Sequence, residues 1–157
     1  MDREQVGGWL ATAVAEARAG LAEGGVPVGA ALYGPDGTLL GKGRNRRVQD
    51  GDPTLHAETA AFRAAGRRRT YAGTTMVTTL SPCWYCSGLV RQFGIPRVVI
   101  GEAATFHGAH DWLAGHGVEV VVLDDPECVA LMRGFIEANP VLWQEDIGID
   151  AEGDDGP

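Results

Sequence analysis

The sequence has only three cysteines, an odd number that excludes a disulfide framework using all of them. It also lacks any run approaching the ~20 apolar residues of a membrane-spanning helix, so no membrane partner is expected. The opening Met1-Asp2-Arg3-Glu4 has neither the basic start nor the apolar stretch of a secretory signal, and a cytoplasmic location is expected. Positive charge is scarce, with 13 Lys and Arg against 21 Asp and Glu, a formal net charge of −8 and a pI near 4.9. Such a balance argues against a surface that holds nucleic acid through its phosphates and makes a small molecule the expected partner. No internal repeat is present. What the 157 residues do have is 45% hydrophobic content, enough for one domain with a full core. That domain is expected over residues 1–148, followed by a disordered tail at 149–157 that is acidic and glycine-rich.

Apolar residues Leu10, Ala13, Val14, Ala17 and Leu21 recur at helical spacing from Arg3 to about Glu23, where Gly24-Gly25 ends the pattern. Val28 to Tyr33 and Thr38 to Lys42 read as strands joined by the turn Gly34-Pro35-Asp36-Gly37. The polar Gly43-Arg44-Asn45-Arg46-Arg47 is expected to lie outside the core strands. Thr54 is the expected cap of a helix through Ala65, Thr74 to Thr79 is strand-like, and a helix runs from Cys83 towards Gly94. Arg97 to Gly101 and Val118 to Leu123 have the almost wholly apolar composition of central strands covered on both faces, with Ala109 to Ala114 as a helical crossover. Asp124-Asp125-Pro126 starts a helix whose apolar stripe includes Cys128, which is therefore a packing residue, and Pro140 restarts the chain into a last short element. Strands alternating with helices predict an α/β fold: a three-layer α/β/α sandwich on a five-stranded mixed sheet, mostly parallel.

Chemistry concentrates in two stretches, His56-Ala57-Glu58 and Pro82-Cys83-Trp84-Tyr85-Cys86, which offer one imidazole, two thiols and one carboxylate. Cysteines at i and i+3 can meet one metal from the first turn of a helix, and Pro82 suits that helix's opening position. His56 supplies a third ligand, leaving a fourth position for water. Glu58, about 200° further round a helix, cannot share a lateral face with His56, but both can converge off the helix end. Two helix N-termini aimed at one point favour the thiolates that bind metal. Cys-x-x-Cys by itself is shared by redox pairs and structural zinc knuckles. Paired with His-x-Glu across a single strand, it matches the established signature of the zinc nucleobase deaminases.

On these motifs the chain resembles the cytidine-deaminase-fold superfamily, and within it the fungal-type cytosine deaminases that act on the free base. The resemblance extends through Glu23-Gly24-Gly25-Val26-Pro27-Val28-Gly29, the Asn45 segment, Gly94-Ile95-Pro96-Arg97, Gly101-Glu102, Trp143 and Glu145-Asp146-Ile147-Gly148. It implies one Zn2+ per chain on His56, Cys83 and Cys86, with Glu58 as the catalytic proton carrier, and hydrolysis of cytosine to uracil and ammonia. It also implies that Asn45 holds the ring edge opposite the metal and Asp146 receives a hydrogen bond from the leaving amino group. Phe106 and Trp143 would cover the ring, with Ala57, Leu80 and Ser81 also substrate-binding, and the protein would be a homodimer. Trp84-Tyr85 stands where smaller or polar residues are expected, so 5-substituted cytosines, isocytosine-like bases, amino-triazines and guanine are alternative substrates. Two other readings compete. One is a closed structural zinc, with His107, His110 or His116 as fourth ligand, in a binding module. The other is tRNA adenosine editing, for which Arg44, Arg46, Arg47 and Arg67 to Arg69 would supply the RNA contact.

Overall fold

The computed structural model describes residues 1–150. Helix α1 (Arg3–Ala22) starts where the Asp2 carboxylate accepts the Glu4 N–H, and it buries Trp9, Leu10, Ala13, Val14 and Ala17. Strands β1 (Gly29–Tyr33) and β2 (Leu39–Arg44) form an antiparallel hairpin whose turn places Gly37 at φ +82°, a conformation that favours glycine. After a single helical turn, α2 (Arg47–Asp50), the chain enters α3 (Ala57–Ala65), β3 (Thr75–Leu80), α4 (Trp84–Gln92) and β4 (Arg97–Glu102). It ends with α5 (His110–Gly115), β5 (Glu119–Val122), α6 (Pro126–Ala138) and α7 (Pro140–Asp146).

The five strands form one sheet in the order β2-β1-β3-β4-β5. Strand β1 runs antiparallel to both neighbours, while β3, β4 and β5 are parallel, so four strands point one way and the mixed sheet expected from the sequence is present. Alternation along the strands divides the core in two. Ala31, Tyr33, Val77 and Val99 face α1, with Cys128 of α6 packed alongside, whereas Ala30, Leu32, Met76, Val98 and Ile100 share a cluster with Ala61 of α3, Val90 of α4 and Leu113 of α5. The result is the α/β/α arrangement. Trp9 is a core residue, stacked on Tyr33 with ring centroids 4.5 Å apart.

Close approach of α3 to the hairpin depends on glycine: a Cβ on Gly43 would stand 2.5 Å from the Ala60 Cβ, and one on Gly41 would stand 2.4 Å from the Ala65 backbone nitrogen. With those two positions bare, α3 rests directly on β2. Because β2 and β3 share a direction, their carboxyl ends reach the same edge of the sheet as the N-termini of α3 and α4. Crevices at the carboxyl ends of such strands are the usual ligand sites of open α/β sheets.

Several sequence expectations are corrected. Strand β2 continues through Gly43 and Arg44, which an edge strand tolerates because one of its sides carries no ladder. Strand β5 is the opposite edge, with Glu119 exposed and Val120 to Val122 only half-buried, so its apolar run reflects cover on one side. His56, not Thr54, caps α3; the Thr54 carbonyl instead accepts from the Thr59 hydroxyl at 2.9 Å. Pro82 lies before the cap of α4, which is Cys83 itself. Cys128 is buried as expected, at the start of α6, where the Asp125 carboxylate accepts its N–H. The expected tail falls, from residue 151 onward, outside the described residues.

Candidate metal centre and adjoining pocket

Capping positions supply the metal-ligating set. His56 caps α3, Cys83 caps α4, and Cys86 sits in the first turn of α4, so three donors meet where two helices begin. His56 Nδ1 lies 3.5 Å from Cys83 Sγ and 3.6 Å from Cys86 Sγ, and the three donor atoms lie within 4.8 Å of one another. Zinc bonded at ~2.0–2.1 Å to nitrogen and ~2.3 Å to sulfur at tetrahedral angles separates the two kinds of donor by roughly 3.5 Å. The donor set therefore fits zinc in identity and spacing.

Proton occupancy agrees. Cys83 is held at about 4 by the hydrogen bond from Cys86, which outweighs burial, and then by His56. Cys86, donating to that thiolate and buried, is pushed well above the ordinary thiol value. Burial lowers His56, but the Cys83 thiolate and Asp146 outweigh it and raise the imidazole to about 9. A divalent cation bound there would displace the protons that these shifts hold on Cys86 and His56.

Glu58, in the first turn of α3, is 4% exposed, and burial followed by the nearby Cys83 charge raises its carboxyl above the usual range. Its Oε1 accepts from the Thr78 hydroxyl at 2.8 Å, and that hydroxyl also lies 3.0 Å from the Leu80 carbonyl oxygen. Thr78 and Glu58 form a contact that sequence reading did not find. An inward threonine on a β-rich run carries no signal of its partner.

An inner cleft beside the carboxylate is lined by Asn45, His56, Ala57, Glu58, Leu80, Ser81, Cys83, Phe106, Trp143 and Asp146, so every site residue named from the sequence except Cys86 contributes to its wall. Cys86 lies buried beneath, within the donor set. Little space remains, about 20 Å³, because Phe106 packs edge-on against Trp143 at 5.5 Å and 87°. Asn45 is both a turn residue and a pocket residue: its Oδ1 accepts the Arg47 N–H at 3.0 Å, while its Nδ2 donates to Asp146 Oδ1 at 3.0 Å. Asp146 Oδ1 also stands 3.8 Å from His56 Nε2.

Phe106 is held by a residue whose role the sequence did not reveal. Glu102, fully buried at the end of β4, accepts the N–H groups of Ala104 and Thr105 at 2.7 and 2.9 Å and the Thr105 hydroxyl. It thereby folds the turn that carries Phe106 over the cleft. A wider outer cavity of about 520 Å³ opens above, lined by Trp84, Tyr85, Phe106, His107 and Ile149 among others. Trp84 and Tyr85 therefore lie at the mouth, with the Tyr85 ring edge-on to His56 at 5.5 Å.

None of the residues named for the two competing readings belongs to the first donor set. His107 and His110 belong to a separate group with Asp111, and the fourth ligand of a closed zinc is not supplied by them or by His116. Arg44 pairs with Glu16 and Glu23, Arg46 with Glu23 and Asp50, and Arg47 with Glu145, so these charges are balanced within the fold. Arg67, Arg68 and Arg69 line a cleft of about 660 Å³ at the far end of α3 from His56.

The family model described as the cytidine and deoxycytidylate deaminase zinc-binding region matches residues 3–102. Cytosine deaminase of Candida albicans is 44% identical over 141 residues, covering 88% of this chain and 94% of that protein. The tRNA-specific adenosine deaminase of Haemophilus influenzae is 33% identical over 127 residues, covering 73% of each. A guanine deaminase from Nitrosomonas europaea shares the fold, with a TM-score of 0.68, 24% identity and coverage of 81% of this chain and 82% of that one.

Proposed function

Because the chain belongs to the cytidine and deoxycytidylate deaminase zinc-binding family, we propose that it hydrolyses the exocyclic amino group of a free nucleobase, cytosine above others, giving uracil and ammonia. The observation that carries this reading is the buried carboxylate of Glu58 beside, and not one of, the His56, Cys83 and Cys86 donors, on a cleft that Phe106 and Trp143 also line. His56, Cys83 and Cys86 would hold zinc, which when bound would supply the Lewis acidity that activates water near neutral pH.

Everything else falls to the side chains. Glu58 takes a proton from the attacking water, delivers it to the ring nitrogen next to the amino-bearing carbon, then takes the remaining proton from the hydroxyl added to that carbon and gives it to the departing amine, leaving the ring carbonyl. Burial suits it to the task, since a raised carboxyl pKa brings the acid and base forms closer in energy at working pH. Asn45, fixed by the Arg47 N–H, presents its amide to the ring edge opposite the donor set, and Asp146 accepts from the amino group that leaves. Phe106 and Trp143, in edge-on contact at the cleft, cover the ring as a lid and exclude bulk water. One zinc per chain, a homodimer and a cytoplasmic location belong to the same proposal.

Support for a free base over tRNA comes from charge: Arg44, Arg46 and Arg47 are each paired with carboxylates of this chain. The test is ammonia release by the zinc-loaded protein from cytosine, cytidine, guanine, adenine and amino-triazines, run in parallel with Glu58→Gln. Cytosine should turn over fastest, and the variant should keep its zinc while losing ~10²–10⁴-fold in turnover. Near-normal ammonia release by Glu58→Gln would remove the carboxylate from the mechanism, and faster release from another base would reassign the substrate.

A further inference from the structure

A second set of donors lies outside the pocket. His107, His110 and Asp111 each bring a ligating atom within 4.8 Å of the others. His107 Nε2 stands 2.8 Å from Asp111 Oδ2, His110 Nε2 stands 3.6 Å from Asp111 Oδ1, and the two imidazole rings are 4.3 Å apart. We propose that these three residues form a second site for a divalent transition-metal cation, separate from the one at His56, Cys83 and Cys86.

The donor chemistry is selective. Two imidazoles and one carboxylate suit Zn2+, Co2+, Ni2+ or Cu2+ and are poorly matched to Ca2+ or Mg2+, which take oxygen ligands. The ligands are also pre-positioned. The segment carrying them is pinned to Pro82, whose carbonyl accepts the Ala109 N–H at 2.8 Å, and the approach at Gly108 is so close that a Cβ there would stand 2.1 Å from the same oxygen. His110 is buried, and its Nδ1 lies 2.7 Å from Ser81 Oγ, an oxygen that in turn accepts the Gly108 N–H at 2.8 Å. In the tautomer that places the proton on Nδ1, toward Ser81, Nε2 keeps its lone pair on the Asp111 side, which is how a ligating histidine is usually oriented by the partner of its other nitrogen. Binding displaces the contacts of Asp111 with His107 and His110, and the carboxylate they share is an exposed one, whose pairs contribute little.

A cation held there would tie His107, the neighbour of Phe106, to α5 across the mouth of the outer cavity. The site does not depend on the catalytic reading, because none of its ligands belongs to the first donor set. Cobalt separates the two sites: thiolate ligands give an intense near-ultraviolet charge-transfer band, whereas imidazole and carboxylate ligands do not.

Full-length protein stripped of metal and titrated with Co2+ should take up two equivalents, only one of them raising the thiolate band. His107→Ala and Asp111→Ala, both at exposed positions, should each keep the band and weaken the second equivalent by about tenfold or more, since loss of even an outer partner costs that much at many metal sites. Cys86→Ala should show the converse, with the second equivalent retained and the band diminished. Absence of a band-silent equivalent in the wild type would overturn the proposal, as would a band-silent equivalent unaffected by both substitutions. Failure of the first site would appear in the thiolate band alone and leave the second count readable.

Discussion

Thr78→Val isolates a single hydroxyl at the heart of the site. The side chain is fully buried, and its proton has two acceptors, Glu58 Oε1 at 2.8 Å and the Leu80 carbonyl at 3.0 Å. Donation to Glu58 favours the carboxylate over the acid, partly offsetting the burial that raises its pKa. A hydrogen bond to a charged group is worth ~1.5–3 kcal/mol, and 1.36 kcal/mol corresponds to one pKa unit, so its loss should move Glu58 up by about one to two units. Sharing of the proton with Leu80 puts the expectation at the lower end, about one unit. Since Glu58 must start as the base, activity is lost as pH falls through its pKa, and a higher pKa carries that loss to higher pH. The acid limb of kcat/KM for ammonia release should therefore shift up by about one unit in Thr78→Val and return in Thr78→Ser, with zinc content unchanged. An acid limb that stays in place at unchanged zinc content would refute the idea that Thr78 tunes the carboxylate.

Three further outcomes are expected. Cys86→Ala should lose the metal of the first site, measured by elemental analysis after dialysis, because the buried thiol is one of only three donors there; full retention would remove Cys86 from the ligand set. Asp146→Asn should keep that metal but lose roughly 10–100-fold in kcat/KM, the equivalent of a hydrogen bond to a charged acceptor, and unchanged kinetics would remove Asp146 from the pocket chemistry. Gly43→Ala places a Cβ 2.5 Å from that of Ala60 and should destabilise the fold by about 1–3 kcal/mol in thermal melts, with an unaltered Tm counting against the close seating of α3 on β2.

The sequence announced the ligands more clearly than it announced their support. His56, Cys83 and Cys86 were legible because metal chemistry restricts both residue type and spacing, and helices starting at His56 and Cys83 agree with donors converging from two N-termini. Asn45, Phe106, Trp143 and Asp146 came from family resemblance, and the fold does bring them to one cleft. Hydrophobic runs proved ambiguous: Val118 to Leu123 and Arg97 to Gly101 look alike, yet one is an edge strand and the other is buried, since composition records apolar cover without saying how many layers provide it. Thr78, Glu102 and the bare positions Gly41 and Gly43 were silent because each matters through a neighbour distant in sequence. The cap at His56 was missed for a related reason. Thr54 has the commoner capping side chain, but its hydroxyl is spent on Asp52.

The hydrogen bond from Asn45 to Asp146 spans 101 positions of the chain. Everything that gathers the first donor set lies between His56 and Cys86, whereas Phe106, Trp143 and Asp146 come from the last third. On the proposed reading, reactivity and discrimination are written in different passages of one sequence and meet at a single amide. On that reading, substitutions in the later passage would alter which ring is admitted and leave the donor set in place.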